Sequence, residues 1–193
     1  MIGFQPLATG TAEHESALER DFVTLTSFLD PGVSITSQPV TIAYSDGTRS
    51  RRYTPDFLVR WSARAAEVVE VKYRADLRAN WDQLRAGFIS ARAWARERDA
   101  TFRIATERSI RGAVLENAKR LLPLRSAPLD AQLAEQVLVL ARSIEAPTFG
   151  SVLAVLSQNR PGALASVWRL IARGALRVDL SAPINLATRL SVP

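Results

Sequence analysis

Two short stretches, Pro55-Asp56 and Glu70-Val71-Lys72, hold the side chains best suited to chemistry. Alternate residues of a strand leave from one face, so Glu70 and Lys72 project together while Val71 turns the other way into a core. A neighbouring strand carrying Asp56, fourteen residues earlier, brings a second carboxylate to the same place. Two carboxylates at a sheet edge suit a hard divalent cation such as magnesium, which takes few protein ligands and keeps waters for substrate phosphates. An ammonium beside them would orient or deprotonate a water and offset charge on a phosphate in its transition state. The plainer reading makes Glu70 and Lys72 the polar face of an amphipathic strand and Asp56 a turn cap, since so short a pattern arises by chance. Three features weigh against it. Positions 68, 69 and 71 are too apolar for a solvent edge, an acidic helix precedes the strands, and lysine is rare: Lys72 and Lys119 are the two lysines among 25 basic residues.

Other chemistries are excluded by composition. With no cysteine there is no disulfide, thiol nucleophile or thiolate metal site, which suits a reducing cytoplasm. A single histidine, His14, builds no multi-histidine metal site, and no G-x-S-x-G turn exists for a serine hydrolase. The N-terminus has no signal-peptide pattern and no apolar run is long enough to span a membrane, so a cytoplasmic, membrane-free protein is expected. Charge is unevenly spread. Residues 1–45 hold one basic and five acidic side chains, 46–126 hold eighteen and ten, and 127–193 hold six and four. The basic middle is what a phosphate-backbone partner requires, or else an arginine-rich solvated surface.

The elements that must position these residues read as follows. Leu18, Phe22, Leu25 and Leu29 recur at helical spacing between Glu13 and Asp30. Strands are expected over 39–44 and 51–60, joined by the Ser45-Asp46-Gly47-Thr48 turn, with Pro55 kinking the second or delaying its start to Asp56. The β-branched run Glu67–Tyr73 is the strongest strand. A helix over 77–97 with Trp81 and Trp94 as packing residues, a strand over 101–105 and a helix over 109–122 complete a mixed α/β domain, a sheet flanked by helices, spanning 1–126. After a linker between Pro123 and Pro128, residues 127–193 read as helices over 129–144, 148–157 and 162–173 and two short strands over 175–180 and 185–191, the layout of a winged helix.

The runs Glu15–Phe22, Gln38-Pro39, Tyr53–Val59, Glu70-Val71-Lys72 and Thr106-Glu107 with Ile110-Arg111 resemble the TnsA-like endonuclease subunits of heteromeric transposases, over about residues 13–125. That family belongs to the PD-(D/E)XK nucleases. The resemblance implies a restriction-endonuclease-like sheet followed by a winged-helix-like C-terminal domain, and Mg2+ or Mn2+ as cofactor. It implies Asp56 and Glu70 as metal ligands, Lys72 as the catalytic lysine and a helix glutamate as a further ligand, assigned to Glu19 over Glu15, with the Val71 carbonyl as an added ligand. Some relatives carry glutamine where this chain has Glu70. It further implies hydrolysis of the 5′-end strand of double-stranded DNA at transposon ends, alongside a TnsB-like transposase and a TnsC-like AAA+ ATPase.

Arg49, Arg51 and Arg52, just before Pro55, are candidates for phosphate contacts flanking the cut, or a solvated hairpin tip. Arg92, Arg96 and Arg103 would extend that surface, and Gln38 either contacts the scissile region or starts a strand. Arg160, Arg169, Arg173 and Arg177 would touch DNA from the C-terminal domain, though its small charge argues equally for protein docking. Two rivals remain: a stand-alone restriction-type or junction-resolving nuclease, and a catalytically idle winged-helix DNA-binding adaptor.

Overall fold

The computed structural model describes residues 2–193 and divides into two compact units, one ending at Arg111 and one beginning at Gly112. The sequence reading put the junction at 126/127; in the structure the helix over 113–121 belongs with the later elements.

The first unit is built on a four-stranded mixed sheet. Its strands are β3 (Ser34–Ser37), β6 (Phe57–Arg60), β7 (Glu67–Val71) and β8 (Thr101–Ala105), in that spatial order. The pairs β3/β6 and β6/β7 are antiparallel and β7/β8 is parallel. Val68 and Val69 of β7 are both fully buried, so the β-branched run is covered on both faces. Helix α1 (Ala17–Leu29) packs on the sheet through Phe22, whose ring stacks on Phe57 at 5.4 Å between centroids. Helix α2 (Arg74–Arg96) makes the parallel crossover from β7 to β8 that two parallel neighbours require.

Two hairpins lie outside this sheet: β1 (Gly3–Leu7) with β2 (Gly10–His14), and β4 (Ile42–Ser45) with β5 (Ser50–Tyr53). The expected strand over 51–60 is thus two strands belonging to different sheets. Pro55 stands in the break, where its missing N–H interrupts no ladder. The helix expected over 109–122 is likewise interrupted at Arg111-Gly112, giving α3 (Glu107–Ile110) and α4 (Ala113–Leu121). Trp81 is 47% exposed and not a core residue, while Trp94 packs beside the buried Val68, Ala95 and Ala100.

In the second unit α4 is followed by α5 (Ala131–Ser143), α6 (Phe149–Val155) and α7 (Arg160–Ala172), matching the three expected helices. Pro161 sits in the first turn of α7, where a missing N–H costs no intrahelical bond. The two expected C-terminal strands are reduced to isolated antiparallel bridges, Thr148 with Arg189 and Arg177 with Ser191. The segment over 185–191 bonds instead to residues 147–150: the Phe149 and Gly150 N–H groups donate to the Thr188 and Leu186 carbonyls and the Leu190 N–H donates to the Pro147 carbonyl, while Asn185 accepts from the Ala187 N–H.

Candidate active site

Continuing the β6/β7 register of Phe57 with Val69 by one residue sets Asp56 opposite Glu70. Asp56 Oδ2 accepts the Val71 N–H at 2.7 Å, which ties the start of β6 to the end of β7. On β7 the alternation holds as expected. Glu70 and Lys72 meet, with Lys72 Nζ donating to Glu70 Oε1 at 2.6 Å, while Val71 is buried. The Lys72 N–H also donates to the Ala105 carbonyl at 3.0 Å, extending the β7/β8 ladder past the strand end.

Glu70 is 2% exposed. Its second oxygen, Oε2, accepts from the Tyr53 hydroxyl at 2.5 Å. No role was read for Tyr53 from the sequence; its one signal is a place three residues before Asp56.

Burial, with the charges of Glu70 and Glu19, pushes the Asp56 carboxyl up to about 7 against the pull of the Val71 N–H and the Lys72 charge. Burial opposes the Lys72 charge, but the hydrogen bond and charge of Glu70, with Asp56 and Asp76, outweigh it and hold the ammonium above its ordinary value. Burial and the negative charge of Glu70 keep the Tyr53 phenol far above its usual range, so it stays a donor. The centre therefore concentrates carboxylates in a place water reaches poorly, with one ammonium against them.

Glu19 lies at the start of α1. Ser16 Oγ, at the N-cap, accepts the Glu19 N–H at 3.1 Å and Glu19 Oε2 accepts the N–H of Glu15, one residue before the cap, at 2.8 Å; the two bonds fix the helix entry. Glu15 turns instead to Gln38, accepting its side-chain amide at 2.9 Å. Gln38 follows β3 and starts no strand. Its backbone is left-handed, with φ of 45°, and its N–H donates to the Asp56 carbonyl at 2.8 Å. Glu13, Glu15, Glu19, Gln38 and Asp56 line one cleft of about 480 Å³, which does not extend to Glu70 and Lys72. Among the described residues no group of three or more His, Cys, Asp or Glu is gathered as a ready ligand set.

Helix α2 leaves directly from this centre. Tyr73 gives it no side-chain cap, and Glu107 of α3 accepts the Arg74 N–H at 3.0 Å in its place. That hydrogen bond holds the Glu107 carboxyl below its usual value. Arg111 bridges the buried Asp21 of α1 at 2.9 Å and the Tyr73 hydroxyl at 3.1 Å. The sequence reading gave neither Glu107 nor Arg111 a task, because both act on partners more than thirty residues away.

The expected basic surface is only partly free. Arg49 and Arg52 are exposed on the β4–β5 hairpin, but Arg51 is paired with Asp46 at 2.6 Å. Hydrogen bonds from the Thr48 hydroxyl and then from Arg51 hold the Asp46 carboxyl far below its usual value. Arg51 and Arg52 are consecutive on β5 and leave from opposite faces. Arg103 is tied to Glu67 at 3.1 Å, whereas Arg92 and Arg96 are exposed on α2. In the second unit Arg173 donates to the carbonyls of Arg125 and Ala127, so it braces the chain there.

No helix among the described residues is long and apolar enough to cross a membrane. Residues 33–107 match the family model described as TnsA-like endonuclease N terminal. The match takes in Asp56, Glu70 and Lys72 and leaves Glu19 outside it. No curated protein matches the chain.

Proposed function

We propose that this chain, with its TnsA-like endonuclease domain, is the DNA-cleaving subunit of a heteromeric transposase, hydrolysing the 5′-end strand at transposon ends with Mg2+ or Mn2+. The observation that carries the reading is the convergence of Asp56 and Glu70 from two paired strands with Lys72 Nζ 2.6 Å from Glu70 Oε1. A half-buried Asp56 pushed up to about 7 by loss of water and by the charges of Glu70 and Glu19 is the electrostatic signature of a site that favours added positive charge. The oxygen donors are hard, as magnesium prefers, and their small number suits an ion that keeps most of its waters. Asp56, Glu70 and the Val71 carbonyl would hold the ion, with Glu19 contributing from α1. Such an ion supplies Lewis-acid activation of water and neutralises charge on the phosphate.

The chain's own groups do the rest. Lys72, kept charged by Glu70, sits where an ammonium can orient the attacking water and meet the charge that develops on the phosphate. Asp56 holds the Val71 N–H, so the two strand ends cannot separate and the carboxylates stay together. Arg49 and Arg52 would contact the DNA backbone from the β4–β5 hairpin, and Arg51 would join them by exchanging Asp46 for a phosphate. Gln38, anchored between Glu15 and Asp56, would border the scissile strand.

The second unit would serve as a winged-helix-like docking module with auxiliary DNA contact. Its helices α5, α6 and α7 and its two bridges support this. Partners would be a TnsB-like transposase and a TnsC-like AAA+ ATPase. The test is strand cleavage on a duplex carrying a transposon end, by the chain alone and with those two partners added. Cutting confined to the full set supports the subunit reading, and efficient cutting by the chain alone makes it an autonomous restriction-type nuclease.

A further inference from the structure

The buried Glu70 carboxylate is divided between two donors from different parts of the chain: Tyr53 on Oε2 at 2.5 Å and Lys72 on Oε1 at 2.6 Å. A glutamate has three side-chain torsions, and its terminal one is broad, so a donor on each oxygen is what selects one orientation. Lys72 is the looser member of the pair. Its side chain is 31% exposed against 3% for Glu70, and it ends a flexible four-carbon stem. The place of Nζ is therefore set by the oxygen it meets, and the place of that oxygen by the hydroxyl on the other side.

Tyr53 has a prepared seat. Its ring meets Phe88 edge-on, with centroids 5.8 Å apart and planes at 78°. It also lies against Gly87, where a Cβ would stand 3.1 Å from ring atoms Cγ and Cδ2. Gly87 is interior to a 23-residue helix, a position where glycine weakens the helix relative to alanine. Its φ is not in the left-handed region, so close approach of the ring, and not backbone conformation, is what the missing side chain serves.

We infer that Tyr53 is a positioning residue for the Glu70–Lys72 pair, its ring seated on Gly87 and its hydroxyl fixing the carboxylate against which the Lys72 ammonium rests. The inference rests on the reading of Asp56, Glu70 and Lys72 as the reactive centre. Tyr53 touches neither DNA nor ion in this account. It acts through Glu70.

The chain has two lysines, Lys72 and Lys119, so selective 15N labelling of lysine in the full-length protein gives two side-chain ammonium signals. Lys119, with its side chain 40% exposed, serves as the internal reference. The unsubstituted chain should give a slowly exchanging Lys72 signal. In Tyr53→Phe, which keeps the ring, Lys72 exchange should quicken at least about tenfold, the factor that corresponds to losing a hydrogen bond to a charged group, with Lys119 unchanged. Gly87→Ala keeps the hydroxyl but displaces the ring, and should move Lys72 in the same direction by less; it decides the matter should Tyr53→Phe fail to fold. Unaltered Lys72 exchange in a folded Tyr53→Phe protein, or no slowly exchanging Lys72 signal in the unsubstituted chain, overturns the inference. Mn2+ titration followed by electron paramagnetic resonance separates it from the metal reading. Weaker Mn2+ binding in Tyr53→Phe supports both. Lys72 released by Tyr53→Phe while no variant, the unsubstituted chain included, binds Mn2+ upholds the positioning role and overturns the metal site.

Discussion

Asp56 accepts the backbone N–H of Val71 at 2.7 Å, so the residue that closes one motif holds the middle residue of the other. The bond keeps Asp56 opposite Glu70 although their charges repel, and part of that repulsion appears in the raised Asp56 carboxyl. The centre is thus assembled at a cost to the metal-free fold, as expected where function and stability pull apart.

That cost has a sign and a pH window. Asp56 titrates near 7 in the folded protein against an ordinary 3.8, so the folded state holds its proton more tightly than the unfolded chain. Its contribution to stability is full below about pH 4 and is lost as pH rises through about 7. Asp56→Asn keeps an acceptor for the Val71 N–H and cannot ionise. Without divalent metal it should exceed the unsubstituted protein in stability by about 2 kcal/mol near pH 8, with the gap closing near pH 4. Urea unfolding at the two pH values measures it; an Asn variant that is less stable at both contradicts the strained-carboxylate account.

Divalent metal should narrow that gap near pH 8. Mg2+ at about ten times its dissociation constant should stabilise the unsubstituted protein by about 1.4 kcal/mol and leave Asp56→Asn and Glu70→Ala almost unmoved. Thermal melts across a Mg2+ series check this, with K+ at matched ionic strength as the control. Equal shifts in all three proteins would mean the ion acts elsewhere.

The hairpin arginines should differ among themselves. Arg52→Ala removes a cation that holds no ion pair among the described residues, and should lower the slope of log affinity for duplex DNA against log salt by about 0.9. Arg51 must first leave Asp46 at 2.6 Å, so Arg51→Ala should change affinity less than Arg52→Ala. Fluorescence anisotropy on a labelled duplex at several salt concentrations ranks them. A greater loss at Arg51 would show that its pair with Asp46 is not kept in solution.

The legible parts of the molecule were those governed by short-range pattern. The run Glu67–Val71 announced its strand by β-branching, and the two-residue step from Glu70 to Lys72 placed both side chains together before any fold was known. Helices α5, α6 and α7 of the second unit followed from apolar spacing. What stayed hidden was long-range. Strand β3, Ser-Ile-Thr-Ser, is short and mostly polar and exists because β6 offers it an edge. The β1–β2 hairpin has no clean alternation of apolar residues to reveal it. Tyr53 became part of the site only because a glycine 34 residues later lets its ring in. The C-terminal strands failed in the opposite direction. Their composition suited a hairpin, but the backbone of the second bonds to residues 147–150, a partner distant in sequence, and among the described residues only Arg177 and Ser191 bridge the two.

The central claim is that Lys72 and Asp56 act on a phosphodiester. Single-turnover cleavage of a transposon-end duplex, with partner proteins present, tests it most directly in Lys72→Ala and Asp56→Ala. The account predicts that each lowers the cleavage rate by about a thousandfold or more while DNA affinity stays within about threefold. Cleavage by either variant at close to the unsubstituted rate would contradict it.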